Sequence, residues 1–426
     1  MKIVEILGKD YDRILDRLIQ RGDQDFFEVD KIVNDIIAEV KEKKDEALFS
    51  FTRKFDEVSL VDLKVSEKEM DDAFKSVDAE LIDIMKEAAT NIREYHQLQI
   101  EKTWLQTKSD GVILGQLITP IQKIGVYVPG GKAIYPSTLL MNVIPAQVAG
   151  VKSITIVTPP DKSGNIDPKI LAAARILGVD NIYKVGGAQA IAALAYGTQS
   201  IKAVNKIVGP GNIFVARAKR AVFGKVDIDM IAGPSEICVI ADESAKAKLV
   251  AADLLSQAEH DEMASAILIT HSKKIAFEVI EELESLIKTS LRKDIIEESL
   301  ANFGYIFLTE DIESSIALAN ELAPEHLELM ISDPFSYISK IENAGAIFLG
   351  EYTPEPLGDY FAGPNHTLPT ASTAKFSSPL GVYDFIKKSS IIYYPKSALD
   401  EVSDKVIKFA VSEGLDAHAN ALRLRK

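Results

Sequence analysis

Apolar residues between 29 and 101 recur at spacings of three and four, interrupted by charged stretches such as Val40-Lys41-Glu42-Lys43-Lys44-Asp45-Glu46-Ala47. That period belongs to helices with one buried face and one solvated face. From Val112 the texture changes to short β-branched runs alternating with Ala-rich windows. The stretch from Lys123 to Asn212 predicts strands at 124–128, 153–158, 181–185 and 205–208, with helices at 136–149, 168–177 and 189–197. Repeated strand–helix–strand units form a parallel sheet covered by helices.

A second alternation predicts strands at 237–240, 266–270, 305–308, 327–331 and 346–349. The last stretch, 397–426, reads as two helices broken at Gly414, a tail that docks because it is too short to build a core. The expected fold is therefore α/β: two Rossmann-like parallel-sheet domains with a helical N-terminal segment and a docking C-terminal helical tail. The expected boundaries are 1–22 for the N-terminal segment, 23–127 plus 237–380 for a discontinuous domain, 128–236 for the other domain and 381–426 for the tail. The helices before Val112 lack their own sheet and are expected to pack on the second α/β unit.

Charge narrows the partners. The 48 Lys and Arg against 63 Asp and Glu leave a net charge of −15, which repels phosphate backbones and anionic lipid. Nucleic acid and membrane are thereby set aside, and small molecules are the expected ligands. No apolar run approaches the roughly 18 residues of a spanning helix, and the opening MKIVEILGKDYDRILDR carries charges where a signal peptide is apolar. A cytoplasmic location is expected. The single cysteine, Cys238, forbids an intrachain disulfide and a thiolate cluster, and its place in the apolar run Ile237-Cys238-Val239-Ile240 predicts an inert, buried thiol.

Three glycine turns follow predicted strands: Tyr127-Val128-Pro129-Gly130-Gly131, Gly186-Gly187-Ala188-Gln189-Ala190 and Val208-Gly209-Pro210-Gly211-Asn212. None has the spaced three-glycine dinucleotide fingerprint. Together, at strand ends that open helices, they favour a nucleotide or a phosphate-bearing ligand. Among the six histidines, His260 lies at the end of a helical window with Gln257 three residues earlier on the same face. Pro324-Glu325-His326 sets an acid and an imidazole on a loop before an apolar strand, and Asp359 and His366 share a loop rich in glycine and proline. His418 sits in the tail. Imidazole and carboxylate groups make zinc the default metal, so the residues alone lead to an α/β enzyme with a nucleotide ligand and a metal centre of nitrogen and oxygen ligands as candidates, with a zinc hydrolase using Glu325 as base and a metabolite-binding module as rivals.

These motifs, in this order, resemble the histidinol dehydrogenase family over most of the chain from about Gly125 to His418. The set also includes Ile231-Ala232-Gly233-Pro234-Ser235-Glu236 and Gly363-Pro364-Asn365-His366. The resemblance implies one zinc ion per subunit held by Gln257, His260, Asp359 and His418, with NAD at Tyr127, Gln189 and Asn212. It places Ser235, Gln257, His260, His326, Asp359, Glu413 and His418 against the substrate, Glu325 and His326 in catalysis and His366 in the pocket lining. It further implies a four-electron oxidation of L-histidinol through L-histidinaldehyde to L-histidine with two NAD, ending histidine biosynthesis. The implied homodimer supplies Glu413 and His418 from the partner's tail.

Overall fold

Residues 1–426 are described in the computed structural model except 7, 9, 20, 22–25, 131–134 and 232. Gly131 of the first glycine turn and Ala232 of the motif at 231–236 therefore lie outside the described residues. The chain opens with strand β1 (Lys2–Glu5) and helices α1 (Tyr11–Ile19), α2 (Phe27–Lys43), α3 (Asp45–Phe55), α4 (Glu67–Ser76) and α5 (Ala79–Gln97). Strands β2 (Trp104–Thr107) and β3 (Ile113–Pro120) lead into the first alternation. It comprises β4 (Lys123–Tyr127), α6 (Pro136–Ala149), β5 (Ser153–Thr158), α7 (Pro168–Leu177), β6 (Ile182–Lys184), α8 (Gly187–Tyr196), β7 (Lys206–Val208), α9 (Ile213–Val222) and β8 (Asp227–Ile228).

The second alternation runs β9 (Glu236–Ala241), α10 (Ala247–Ala258), β10 (Ser265–Thr270), α11 (Lys273–Ile287), α12 (Lys293–Phe303), β11 (Gly304–Leu308), α13 (Ile312–Leu322), β12 (His326–Met330) and β13 (Ala346–Leu349). A short turn α14 (Glu355–Leu357), strand β14 (Ile386–Tyr393) and helices α15 (Lys396–Ser412) and α16 (Asp416–Arg423) complete the chain.

Both alternations close into parallel sheets wound in the same sense. The first has the order β6-β5-β4-β7-β8, and the second the order β11-β10-β9-β12-β13 with β1 added beyond β11. In each, the chain starts at a central strand, builds outward on one side and then reverses to the other. That reversal is the topological switch point at which such sheets bind ligands. It falls between β4 and β7 in one sheet and between β9 and β12 in the other. Strands β9 and β10 are buried at every residue, as expected when helices cover both faces.

Four expectations are corrected. The helices before Val112 do not pack on the second unit. Helices α4 and α5 lie on α7 and α6, and α2 and α3 lie on α8 and α9, so they thicken both faces of the first sheet. The interior explains it: Ala-rich α7 and α8 bury residues all round, and a helix apolar all round needs a second layer outside it. Strand β4, inside the expected 23–127 segment, likewise belongs to the first sheet. The segment 1–22 is not purely helical, because β1 pairs parallel with β11. The tail begins as strand β14, which pairs antiparallel with β3 along eight residues. The predicted break at Gly414 is present, in the left-handed conformation at φ 75°. Among the described residues no helix is long and apolar enough to cross a membrane.

Candidate active site between two sheet edges

The second sheet presents its candidate groups at the amino ends of its strands. Ser235 precedes β9, His260 lies in the turn before β10, and Glu325 and His326 stand at the start of β12. Parallel pairing sets His326 opposite Ile237, which brings its Nδ1 to 2.9 Å from the Glu236 carbonyl oxygen. A carbonyl only accepts, so Nδ1 donates and Nε2 is the nitrogen left for chemistry. Nε2 is buried without a hydrogen-bond partner, 3.6 Å from Asp359 Oδ1 and 4.0 Å from Glu355 Oε1.

Glu325 follows Pro324 and a left-handed Ala323 at the end of α13. Its Oε2 accepts from the Glu236 N–H at 2.9 Å and stands 3.7 Å from His326 Nδ1. Burial pushes this carboxyl up to about 8 against the opposing pull of His326. Burial alone would lower His326, but the carboxyls of Glu325, Asp359 and Glu355 outweigh it and hold the imidazole up to about 10. Glu325 supports that proton only while it is itself ionised, so the two side chains share a proton as one unit. Asp359 is held down to about 2; burial would raise it, and the neighbouring imidazoles of His326 and His366 outweigh that.

Asp359 sits on a π-helical turn (Gly358–Ala362), an irregularity common at functional sites. Two amide side chains anchor this loop to helices α5 and α6 of the first unit: Asn91 Nδ2 donates to Phe361 O at 2.9 Å, and Asn365 Nδ2 to Met141 O at 2.6 Å. His366 Nδ1 contacts the Asp359 backbone carbonyl at 3.0 Å. Gln257, in the last turn of α10, is 1% exposed and its Oε1 has no partner. His260 interacts electrostatically with Asp359 and His326, and burial lowers its pKa.

His326, Glu355 and Asp359 bring ligand-type atoms within 4.8 Å of one another. Gln257 Oε1 is likewise buried without a partner, and nitrogen and oxygen donors of these types fit a borderline cation such as zinc. Glu413 and His418 are exposed on the tail, and among the described residues neither joins this cluster.

The first sheet meets the same region with the carboxyl ends of its strands. Tyr127, closing β4, accepts the Gly187 N–H at 3.1 Å, at the start of α8. Gln189 is buried one turn into that helix. Asn212 caps α9, accepting from the N–H groups of Phe214 and Val215 at 3.1 and 3.2 Å. Gly209, between them, has φ +110°, and a Cβ there would lie 2.1 Å from the Tyr127 carbonyl oxygen, so only glycine fits. A cavity of about 190 Å³ lined by Pro129, Gly130, Tyr135, His260, Asp261, Glu262 and Arg292 joins the two edges.

The family description of histidinol dehydrogenase matches residues 19–426. The chain belongs to the histidinol dehydrogenase family. It is 52% identical to the histidinol dehydrogenase of Clostridium acetobutylicum over 425 residues, covering 100% of this chain and 99% of that one. It is 56% identical to that of Halalkalibacterium halodurans over 393 residues, covering 92% and 93%. The crystal structure of histidinol dehydrogenase from Elizabethkingia anophelis superposes with a TM-score of 0.95 at 41% identity, covering 100% of this chain and 98% of that one.

For a histidinol dehydrogenase family member, an oxidoreductase of histidine biosynthesis, the sequence reading missed three buried charges around the site: Glu355, Glu236 and Arg21. Glu355 had a visible signal, since it stands four residues before Asp359 in one helical stretch and so shares its face. Burial and the neighbouring Asp359 push Glu355 up to about 8. Glu236 and Arg21 carried no such signal, because their importance arises from contacts across the chain.

Proposed function

We propose that this protein oxidises L-histidinol to L-histidine through L-histidinaldehyde, reducing two NAD in succession, as a cytoplasmic homodimer with one zinc ion per subunit. The observation that carries the reading is the buried Glu325–His326 pair beside Asp359, with an imidazole nitrogen and a glutamine oxygen left unpartnered. Gln257, His260 and Asp359 would hold the metal with His418 of a second copy, and the metal would fix the orientation of the substrate's imidazole and amine. Tyr127 and Asn212, at the switch point of the first sheet, and Gln189 in the first turn of α8 would hold NAD, which would accept hydride from the substrate carbon.

In the first oxidation, His326 Nε2 takes the hydroxyl proton as hydride leaves the carbinol carbon. In the second, Glu325 takes a proton from water as it adds to the aldehyde, and the resulting hydrate loses hydride and a proton to give the carboxylic acid. A Glu325 carboxyl near 8 exchanges protons close to neutral pH, as an acid–base group should. A cation held at Asp359 would relieve one of the carboxylate charges that keep the proton on His326 and so lower the imidazole toward the range of a base. Ser235 and Glu413 would contact the substrate, and His366 would line the pocket beside Asp359.

Exposed apolar side chains on the tail, Val406, Phe409, Val411 and Leu415, support its docking on a second copy. The deciding experiment is NADH formation from L-histidinol, with zinc removed and restored; absence of NADH at saturating substrate and zinc would overturn the reading. His326→Asn should suppress oxidation of the alcohol more than of supplied histidinaldehyde, and Glu325→Gln the reverse, each by about 10²- to 10⁴-fold.

A further inference from the structure

Arg21 lies 215 positions before Glu236, yet the two side chains form an ion pair at 2.7 Å and are only 2% and 10% exposed. The same guanidinium donates to Pro234 O at 3.1 Å and to Met263 O at 3.2 Å, and stacks over the Phe303 ring at 5.4 Å. Every polar group of Glu236 is engaged, and its Oε2, N–H and carbonyl reach Glu325 or His326. Its Oε1 also accepts from Ala371 N at 2.9 Å, and its Oε2 accepts from Glu325 N at 3.3 Å. Its own N–H donates to Glu325 Oε2 at 2.9 Å, and its carbonyl accepts from His326 Nδ1 at 2.9 Å.

We infer that Arg21 is a positioning residue for the acid–base pair: through Glu236 it fixes the side chains of Glu325 and His326 and the backbone on both sides of Ser235. The inference rests on the function proposed above, in which those three residues act on the substrate. Arg21 touches none of the reacting groups itself. Its fork matches one carboxylate and two carbonyls at once, a geometry that a lysine point charge does not reproduce. Without the guanidinium, the Glu236 carboxylate is left buried and unpaired beside Glu325. To escape, it must protonate or turn toward water, and either change loosens its bond to the Glu325 N–H. The Glu325–Glu236 exchange and the His326 Nδ1 bond depend on that local backbone. A misplacement of about 1 Å at such a pair costs about 10²-fold in rate.

The test uses full-length, zinc-loaded protein with Arg21→Ala and Arg21→Lys. NADH formation by the unaltered protein first checks the proposed function; its failure would overturn that reading alone. The positioning is read independently by proton NMR of ¹⁵N-histidine-labelled protein, following the His326 Nδ1–H resonance, assigned by its loss in His326→Asn. In Arg21→Ala that resonance should shift or broaden. With L-histidinol, kcat should fall about 10²-fold in both half-reactions while KM moves less than about threefold, and added guanidinium should recover part of the loss. Arg21→Lys should be intermediate, about tenfold down in kcat, and decides the matter if Arg21→Ala fails to fold. A folded variant with an unmoved His326 resonance and kcat within about threefold of the parent would overturn the inference. So would a loss of kcat with the resonance unmoved and no response to guanidinium.

Discussion

Lys219 and Asp229 form an ion pair with side chains 3% and 1% exposed. Lys219 Nζ donates to Gly209 O at 2.9 Å, and Asp229 Oδ2 accepts from Gly209 N at 2.7 Å. Both polar groups of the glycine that turns the chain beside Tyr127 are thus held by one buried pair. Lys219→Met leaves the Asp229 carboxylate buried without its cation and the Gly209 carbonyl without its donor, a loss of about 3–5 kcal/mol. A chain of 426 residues unfolding as one unit gains about 2.1 cal/mol/K per residue, or about 0.9 kcal/mol/K in all, so Tm should fall by about 3–6 °C. The double variant Lys219→Met/Asp229→Asn removes the stranded charge and should recover about half of that. Calorimetry measures the stability. Steady-state kinetics should show KM for NAD raised several-fold with kcat at saturating NAD little changed, since the loop from Gly209 to Asn212 loosens while the catalytic edge does not. A Lys219→Met loss below about 1 kcal/mol would refute the energetic argument. The expected loss with an unchanged KM for NAD would refute the assignment of this loop to the cofactor.

Chelation should abolish NADH formation while far-UV circular dichroism stays unchanged, because the proposed ligands Gln257 and His260 at the end of α10 and Asp359 on its own loop are carried by a unit that already has its own core; loss of helical signal along with activity would mean a structural metal. Asp56, whose Oδ2 is buried without a partner, is pushed by burial from 3.8 up to about 6. The folded state thus binds its proton more tightly, and this stabilisation, full below pH 3.8, is lost as pH rises through 6. Asp56→Asn should therefore raise Tm at pH 8 and give no gain at pH 4; equal effects at both pH values would contradict the shift. Mixing inactive His418→Ala with inactive His260→Ala under conditions of proven subunit exchange should restore activity, and no recovery would place the tail on its own chain.

The central strands were legible to within a residue or two, with β5 predicted at its observed bounds. A strand buried on both faces must be apolar throughout, which leaves an unbroken run for the eye. Strands β2 and β14 were not read because they lie at the edges of a three-stranded antiparallel sheet with largely exposed or half-buried residues, where neither alternation nor a continuous run is imposed. The partner of helices α2 to α5 was equally hidden, since an amphipathic face says that it packs but not against what. In the candidate site the chemistry-bearing types were visible and their supports were not. Glu236 reads as the end of a strand until Arg21 is found beside it, and no periodicity links positions 215 apart.

The two sheets meet with opposite edges, carboxyl ends on one side of the cavity and amino ends on the other. On the proposed function, the loops that hold the cofactor all fall between Tyr127 and Asn212, and those of the same chain that hold the metal and reacting groups fall between Ser235 and His366. Two binding tasks thus occupy separate blocks of sequence on separate scaffolds. Substitutions well apart in space have nearly additive effects, so cofactor preference and substrate preference are free to vary independently across descendants of such a chain. The exception is the loop bearing Asp359, which is tied to α5 and α6 by Asn91 and Asn365. Changes there act on both tasks at once.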